Sequence, residues 1–301
     1  MKETRSNLHP HKQFLNTLYS TPLFRRTLAR NVSAALEEDL GQGDIHIALY
    51  PESSVSTAQV ITREPAIVCG IPWVNETFAQ LGDNFKIEWL VNEGDRVEPN
   101  QVLFKITGPT GVLLSGERTA LNFLQLLMAT ANQTAALQDL IAHTSTRILD
   151  TRKTIPGLRL AQKYAVAVAG GANHRIGLWD AFLIKENHIA AAGGIAQAVA
   201  KAREFDAKCF LEVEVENLDE LRQAITADVD RVLLDNFTLE QLREALEIRQ
   251  ELNSGCDFEA SGNVDADSVV AIAETGVDYI SVGGITKHIK ATDLSFRIQS
   301  E

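Results

Sequence analysis

Six short apolar runs in the second half of the chain each end in polar or charged residues, and those residues are the ones that could do chemistry. The first run, Arg147-Ile148-Leu149-Asp150, leads into Thr151-Arg152-Lys153-Thr154. The second, Ala181-Phe182-Leu183-Ile184, leads into Lys185-Glu186-Asn187-His188. The third carries Glu212, Glu214 and Glu216, and the fourth ends in Asp235-Asn236. The fifth ends in Ser261-Gly262-Asn263 and the sixth in Gly283-Gly284. Arg152, Lys153, His174, Arg175 and Lys185 form a basic group in a chain of net charge -12. A basic mouth on an acidic body points to an anionic small molecule, steered by focused positive potential. The arginine fork matches carboxylate and phosphate with paired hydrogen bonds, and lysine acts as a point charge.

The late strand ends suggest a second function. Glycines at Gly262, Gly283 and Gly284 let a ligand approach the backbone, and a helix is expected to begin near Asp265. Glycine loops with helix N-termini behind them make a phosphate cradle. Glu214 and Asp235 lie on neighbouring strands, where they could hold Mg2+ through water or contact ribose hydroxyls. Alternation puts Glu212, Glu214 and Glu216 on one face, so spacing does not choose between them. His174 reads either as a ligand contact or as a core or loop histidine.

These groups need a scaffold that gathers strand ends. Between the runs lie helical stretches at residues 195–205, 217–226, 239–252 and 265–275. Strand–helix alternation means a parallel sheet, and six strands at this spacing suggest a closed or nearly closed β/α barrel with its site at the strands' C-terminal face. No GxGxxG follows the first strand, which lowers the alternative of an open dinucleotide-binding sheet. The first third of the chain has a different texture. A helix carrying Leu28, Val32, Ala35 and Leu36 ends at Gly41. Short alternating runs follow, such as Ala58-Val60-Thr62, with strand, turn and strand over residues 87–104. A long helix is expected from Thr119 to about His143, opened by Arg118. A cation there opposes the helix dipole, which favours a functional reading of Arg118. The expected architecture is α/β, an incomplete β/α barrel at residues 117–287 with an N-terminal α+β domain at 1–116, completed by the tail at 288–301.

Composition narrows the class. The apolar fraction is 45%, ample for a core. The acidic balance argues against nucleic acid. No stretch is apolar enough to span a membrane, and the first twelve residues are polar and lack the apolar core of a secretory signal. Cys69, Cys209 and Cys256 are odd in number and widely spaced, which fits buried thiols in a reducing compartment, so a cytoplasmic protein is expected.

Several motifs together carry a family resemblance. Thr151-Arg152-Lys153-Thr154-Ile155-Pro156-Gly157-Leu158-Arg159, Lys163-Tyr164-Ala165-Val166, Gly170 to Leu178 with Asn173-His174-Arg175, and Leu183 to His188 resemble the signature of the quinolinate phosphoribosyltransferases. Gly116 to Asn122, Glu212 to Asn217, Leu234-Asp235-Asn236 and Ala260 to Asn263 agree in order and spacing. The likeness runs from about residue 30 to the end; residues 1 to about 25 have no counterpart. It implies transfer of phosphoribosyl from phosphoribosyl pyrophosphate to quinolinate, with loss of CO2, to give nicotinate mononucleotide. It also implies Mg2+ and a head-to-tail homodimer, or a higher assembly of it, in which Arg118 reaches the neighbour's site. Arg152, His174, Arg175 and Lys185 would hold the two pyridine carboxylates. Lys153, Glu214 and Asp235 form the implied catalytic set, the last two at the ribose and Mg2+-pyrophosphate end and Lys153 near the phosphates. Thr151, Ser261, Gly262, Asn263, Gly283 and Gly284 would complete the substrate contacts, with the glycines seating the 5′-phosphate. The chain departs from the family where Gly283-Gly284-Ile285-Thr286 stands for Gly-Ala-Leu-Thr and Asp44-Ile45-His46 for Asp-Ile-Thr.

Overall fold

A computed structural model describes residues 21–299. In chain order the elements are α1 (Pro22–Leu40), a 3-10 turn (Ile45–Leu49), β1 (Val55–Thr62), β2 (Ala66–Ile67), α2 (Ile71–Leu81), β3 (Lys86–Trp89), β4 (Arg96–Val97), β5 (Val102–Pro109) and α3 (Thr110–Leu140). Then come β6 (Arg147–Leu149), α4 (Arg159–Val168), β7 (Phe182–Ile184), α5 (Glu186–Ala192), α6 (Ile195–Phe205), β8 (Leu211–Val215) and α7 (Leu218–Thr226). The last are β9 (Arg231–Asp235), α8 (Leu239–Glu251), β10 (Asp257–Ser261), α9 (Val269–Ala273), β11 (Tyr279–Ser281), α10 (Gly284–Lys287) and β12 (Leu294–Ile298).

The chain divides into two compact units. One holds the described residues up to Gln133, Ile155–Gly170 and those from His288 on; the other holds Thr134–Thr154 and Gly171–Lys287. The sequence placed a boundary at 116/117, whereas the packing places it at 133/134 and adds 155–170 to the first unit. The reason is α3. It begins at Thr110, not Thr119, so residue 116 is helix interior rather than a junction. Gly116 does not break the helix because it is where α2 packs closest. A Cβ there would fall 2.6 Å from the Phe78 ring and 2.8 Å from Leu81. Arg118 is therefore more than one turn inside α3, and the dipole argument for it falls away.

In the first unit, α1 is capped by Thr21, whose Oγ1 accepts from Phe24 N at 3.1 Å, and stops at Gly41 with φ 53°. Its Phe24 ring packs on Trp73 and on Tyr164 of α4, with centroids 5.6 and 5.7 Å away. The antiparallel sheet runs β12-β1-β5-β3. Ala58, Val60 and Thr62 alternate inward on β1, as a half-buried strand requires, and join Phe78, Leu103, Phe104 and Leu124 in the core. Trp89 lies against Phe104 at 4.4 Å. The polar N-terminal twelve residues read from the sequence lie outside the described residues.

In the second unit six parallel strands are ordered β6-β11-β10-β9-β8-β7. The first strand pairs with the last, as in a closed ring, but no ladder joins β6 to β7. That is the topology of an incomplete β/α barrel, open between its first two strands. A single parallel bridge from Ala172 to Leu149 continues beside β6 at that gap. The strands are buried on both faces, as parallel strands are, and carry charged residues within them at Glu212, Arg231 and Glu259. The regular part of α9 starts at Val269, but the helical path begins near Asp265. Its Oδ1 accepts from Ser268 N at 2.9 Å and from Ser268 Oγ at 2.7 Å, as an N-cap does, and its backbone oxygen accepts from Val269 N at 3.0 Å.

Cys69 and Cys256 are buried, Cys209 is half-buried, and all three are free. Trp73 is core, but Trp179 is 68% exposed. No helix among the described residues is long and apolar enough to cross a membrane.

A buried carboxyl organises the start of α2. Its N-cap is Gly70 at φ 121°, which has no side chain to cap with. Glu93 Oε1 accepts from Gly70 N at 2.9 Å and Ile71 N at 2.7 Å in its place. Burial raises the Glu93 pKa to about 7, against the opposing pull of these two backbone donors. A carboxyl raised on folding stays protonated where the unfolded chain has already ionised. The folded state therefore loses stability as pH rises from about 4.5 to about 7, by roughly 3 kcal/mol in total. Glu93→Gln keeps the acceptor oxygen and removes the ionisation. Thermal unfolding from pH 5 to 8 should show a falling midpoint in the native chain and a markedly flatter profile in the variant.

Candidate active site

The C-terminal ends of the parallel strands enclose a cavity of about 220 Å³. From the β6 end come Thr151, Arg152 and Lys153; from the gap segment, His174 and Arg175; from β7, Leu183 and Lys185. Glu214 of β8, Leu233 of β9, Glu259 and Ser261 of β10 and Ser281 of β11 complete the lining. Eight sequence-predicted residues thus share one cavity, and four of them are cations: Arg152, Lys153, Arg175 and Lys185.

Each is held by its neighbours. Thr151 Oγ1 accepts from Lys153 N at 3.0 Å, and Thr286 Oγ1 donates to Lys153 O at 2.8 Å. Gly283 lies against the Lys153 side chain, where an added Cβ would come within 2.9 Å of Cδ. Lys185 N donates to His188 Nδ1 at 3.0 Å, and Lys185 Nζ forms an ion pair with Glu214 Oε2. Burial first, and the neighbouring Arg152 second, push the Arg175 guanidinium below its ordinary pKa.

The predicted residues outside the lining are also located. Asp235 lies two residues beyond Leu233 on β9, so strand alternation turns it to the cavity side. Its Oδ2 accepts from Asn236 Nδ2 at 2.8 Å, and it pairs in register with Ser261. Gly262, at φ 117°, sits on Asn236, leaving no room for a side chain. Asn263 is exposed at φ 47°. Neither glycine loop leads into a substantial helix: the regular part of α9 starts at Val269, and α10 is one turn, Gly284–Lys287. The helix-dipole part of the expected phosphate seat is therefore weaker than read from the sequence, and the open backbone at these glycines remains. Arg118 belongs to the other unit; it is exposed, with Glu117 at 3.9 Å. His46 is exposed and bound to Asp44, Nδ1 to Oδ1 at 2.9 Å.

The two glutamates of β8 and Glu216 just beyond it separate by depth. Glu212 is buried, Glu214 lines the cavity and Glu216 is exposed. Glu212 Oε2 lies 2.8 Å from His174 Nε2, and Glu259 Oε2 lies 3.6 Å from it. Arg231 Nη1 is 3.4 Å from Glu259 Oε2 and its guanidinium stacks on Tyr279 at 4.1 Å. Burial, reinforced by Glu212, raises the Glu259 pKa to about 8. Burial likewise raises Glu212, against the pull of Arg231. The donor atoms of His174, Glu212 and Glu259 lie within 4.8 Å of one another, a spacing that could serve a cation. Arg231 already supplies the positive charge at that spot, so the cluster reads as a charge network rather than a metal centre. Glu214 and Asp235, on adjacent strands beside the cavity, are the better oxygen pair for a hard cation.

Glu259, Arg231 and Asp150 were not singled out from the sequence as site residues. Asp150 is fully buried and accepts from His174 N at 2.9 Å and from the Asn173 amide, shaping the loop that carries His174 and Arg175. A signal existed: a charged residue inside an apolar parallel strand is rarely buried unless it is paired.

A barrel whose strand ends surround a small cavity with four cations defines the class: a β/α-barrel protein built to hold a polyanionic small molecule. The comparisons specify it. The model of the quinolinate phosphoribosyl transferase C-terminal domain matches residues 130–297, and that of the N-terminal domain matches residues 44–128. The chain belongs to the quinolinate phosphoribosyl transferase family. It is 38% identical over 288 residues to a mitochondrial quinolinate phosphoribosyltransferase (decarboxylating) of Nicotiana glauca, covering 89% of this chain and 81% of that one. It is 36% identical over 263 residues to a probable nicotinate-nucleotide pyrophosphorylase (carboxylating) of Bacillus subtilis, covering 87% and 90%. The solved nicotinate-nucleotide pyrophosphorylase of Francisella tularensis superposes with a TM-score of 0.86 at 50% identity, covering 91% of this chain and 96% of that one.

The contact between Gly283 and Lys153 gives a test of the cavity. Gly283→Ala must push the flexible Lys153 stem aside without disturbing the core. Pyrophosphate affinity, read by calorimetry, should fall about tenfold, equivalent to about 1.4 kcal/mol, with the thermal midpoint unchanged.

Proposed function

We propose that this chain transfers phosphoribosyl from phosphoribosyl pyrophosphate to quinolinate with decarboxylation, giving nicotinate mononucleotide, pyrophosphate and CO2. The observation that carries the reading is the set of four cations, Arg152, Lys153, Arg175 and Lys185, around one cavity of about 220 Å³ in a chain of net charge -12. That volume suits a single pyridine ring, and the charges suit a dicarboxylate beside a phosphorylated sugar.

The chemistry asks mainly for placement and electrostatics. The ring nitrogen forms a bond to C1 of the ribose as the bond from C1 to the pyrophosphate oxygen breaks. Positive charge develops on the sugar, and Glu214 and Asp235 are the carboxylates beside it. Lys185 starts the cycle paired with Glu214. An incoming carboxylate competes for that ammonium, which couples diacid binding to release of Glu214 toward the sugar. Lys153, held at the β6–β11 junction, faces the leaving phosphates. Once the nitrogen is quaternary, the bond to the adjacent carboxylate breaks. CO2 departs, the electron pair stays on the ring carbon next to the positive nitrogen, and a proton replaces the carboxylate. Arg152 and Arg175 hold the carboxylates through these steps.

Mg2+ fits this site. Glu214 and Asp235 offer hard oxygen donors on adjacent strands, and bound Mg2+ would neutralise the pyrophosphate. The working form is a homodimer, or a higher assembly of it, in which Arg118 reaches the neighbouring site; its exposure supports this role. Free thiols at all three cysteines support a reducing compartment, the cytoplasm.

Labelled CO2 should be released from quinolinate only when the phosphoribosyl donor and Mg2+ are both present. A clear preference for nicotinate, with no CO2, would overturn the reading. Arg152→Ala should lower kcat/KM for quinolinate by about 2–5 kcal/mol of transition-state stabilisation, measured by steady-state kinetics. Turnover close to that of the native chain would remove Arg152 from the mechanism.

A further inference from the structure

At the floor of the cavity lie three charged residues that the reaction does not use: Glu259, which lines it, and Glu212 and Arg231 behind. Glu212 and Glu259 are 1% and 0% exposed. Both oxygens of Glu212 and Oε1 of Glu259 are buried without an aligned hydrogen-bond donor, an expensive arrangement to keep. Arg231 is fixed from three directions: Glu259 at 3.4 Å, Asp257 at 3.8 Å, and the Tyr279 ring at 4.1 Å. Glu259 links this anchor to His174, whose Nε2 is 3.6 Å from it and 2.8 Å from Glu212.

The other edge of the imidazole is also engaged. His174 Nδ1 accepts from the backbone N–H of Arg175 at 2.7 Å. In the neutral ring the proton is therefore on Nε2, facing the two glutamates. Both ring nitrogens of His174 thus serve the protein. The ring joins the glutamate floor to the backbone of the very residue whose guanidinium lines the cavity. Arg175 Nη1 is in turn steadied by Ala181 O at 3.4 Å.

We infer that Glu259 is a positioning residue for Arg175: together with Glu212 it fixes the His174 ring, and the ring fixes the Arg175 backbone from which the guanidinium meets one carboxylate of an aromatic diacid. The inference rests on the reading of this cavity as the quinolinate site. Its consequence is selective. Disturbing Glu259 should spoil recognition of the diacid and leave the phosphoribosyl donor's end of the site, at Lys153, Asp235 and Gly283, unaltered.

Glu259→Leu tests this, with the native chain and Glu259→Gln measured beside it. The leucine removes the polar contact of residue 259 to His174, leaving Glu212 as the ring's neighbour at Nε2, and the glutamine keeps the shape and a hydrogen-bonding head. For Glu259→Leu, KM for quinolinate should rise about tenfold or more, while KM for phosphoribosyl pyrophosphate stays within about twofold; about tenfold corresponds to about 1.4 kcal/mol. Glu259→Gln should restore most of the loss. The 15N spectrum of His174 should show a single Nε2–H tautomer in the native chain and a mixture in the leucine variant. Equal rises in both KM values, or an unchanged tautomer together with an unchanged quinolinate KM, overturn the inference. Should Glu259→Leu fail to fold, Glu259→Leu combined with Arg231→Met removes the whole buried pair and carries the same expectations. A native chain that neither binds quinolinate nor releases CO2 would defeat the functional reading instead. The His174 spectrum would then decide the positioning role by itself.

Discussion

Mutual repulsion among four cations around a small cavity is the constraint on which the rest of the site depends. Like charges held a few ångströms apart under partial burial cost several kcal/mol unless anions compensate them. Here the compensation is partial and local. Lys185 is paired with Glu214, and the Arg175 guanidinium is held against Ala181 O. The lowered pKa of Arg175, caused by burial and then by Arg152, registers the charge left uncompensated. Glu212 and Asp180 offset part of it, and an anion in the cavity would offset more.

Holding that repulsion requires rigid supports, and the barrel supplies them. Lys153 and Gly283 meet because β6 pairs with β11, the first strand with the last. Glu214 and Asp235 lie on neighbouring strands because β8 pairs with β9. Ser261 and Asp235 are in register across β9 and β10. Each pairing joins residues far apart in sequence through a backbone ladder that a surface loop would lack. The gap between β6 and β7 has a use as well. The segment bridging at Ala172 runs there and carries His174 and Arg175 to the mouth, with Asp150 tying it down from the end of β6.

The six strands were legible because buried parallel strands are short apolar runs bounded by polar residues, and the residues at their ends followed from that. Helix starts were less legible. The α3 helix runs nine residues further upstream because Leu113 continues its buried face and because Gly116, a breaker in isolation, is where Phe78 packs. Near Asp265 the cap was legible: its side chain accepts from Ser268 N, and a turn precedes the regular helix at Val269. Among the glutamates of β8, alternation gives the face but not the depth. Depth depends on what lies opposite, and only the placement of His174, Glu259 and Arg231 makes Glu212 a floor residue and Glu214 a wall. The partition of the chain was the least legible feature, because residues 155–170 leave the barrel sequence and join the first unit.

The charge state of the floor bears on what the cavity selects. Burial raises the Glu259 pKa to about 8, which favours its neutral form, and Arg231 lies 3.4 Å from Glu259 and also draws on the Glu212 charge. The floor is then close to neutral. Among the charged residues that line the cavity, four cations face Glu214 and Glu259, so positive charge is in excess. A ring with one carboxylate would leave cations facing each other in a half-buried space. A dicarboxylate would relieve more of that positive charge than a single carboxylate does. The selection for a diacid thus comes from counting charges in a confined volume rather than from any single hydrogen bond. It holds only while the glutamates below stay buried and Glu259 keeps its proton.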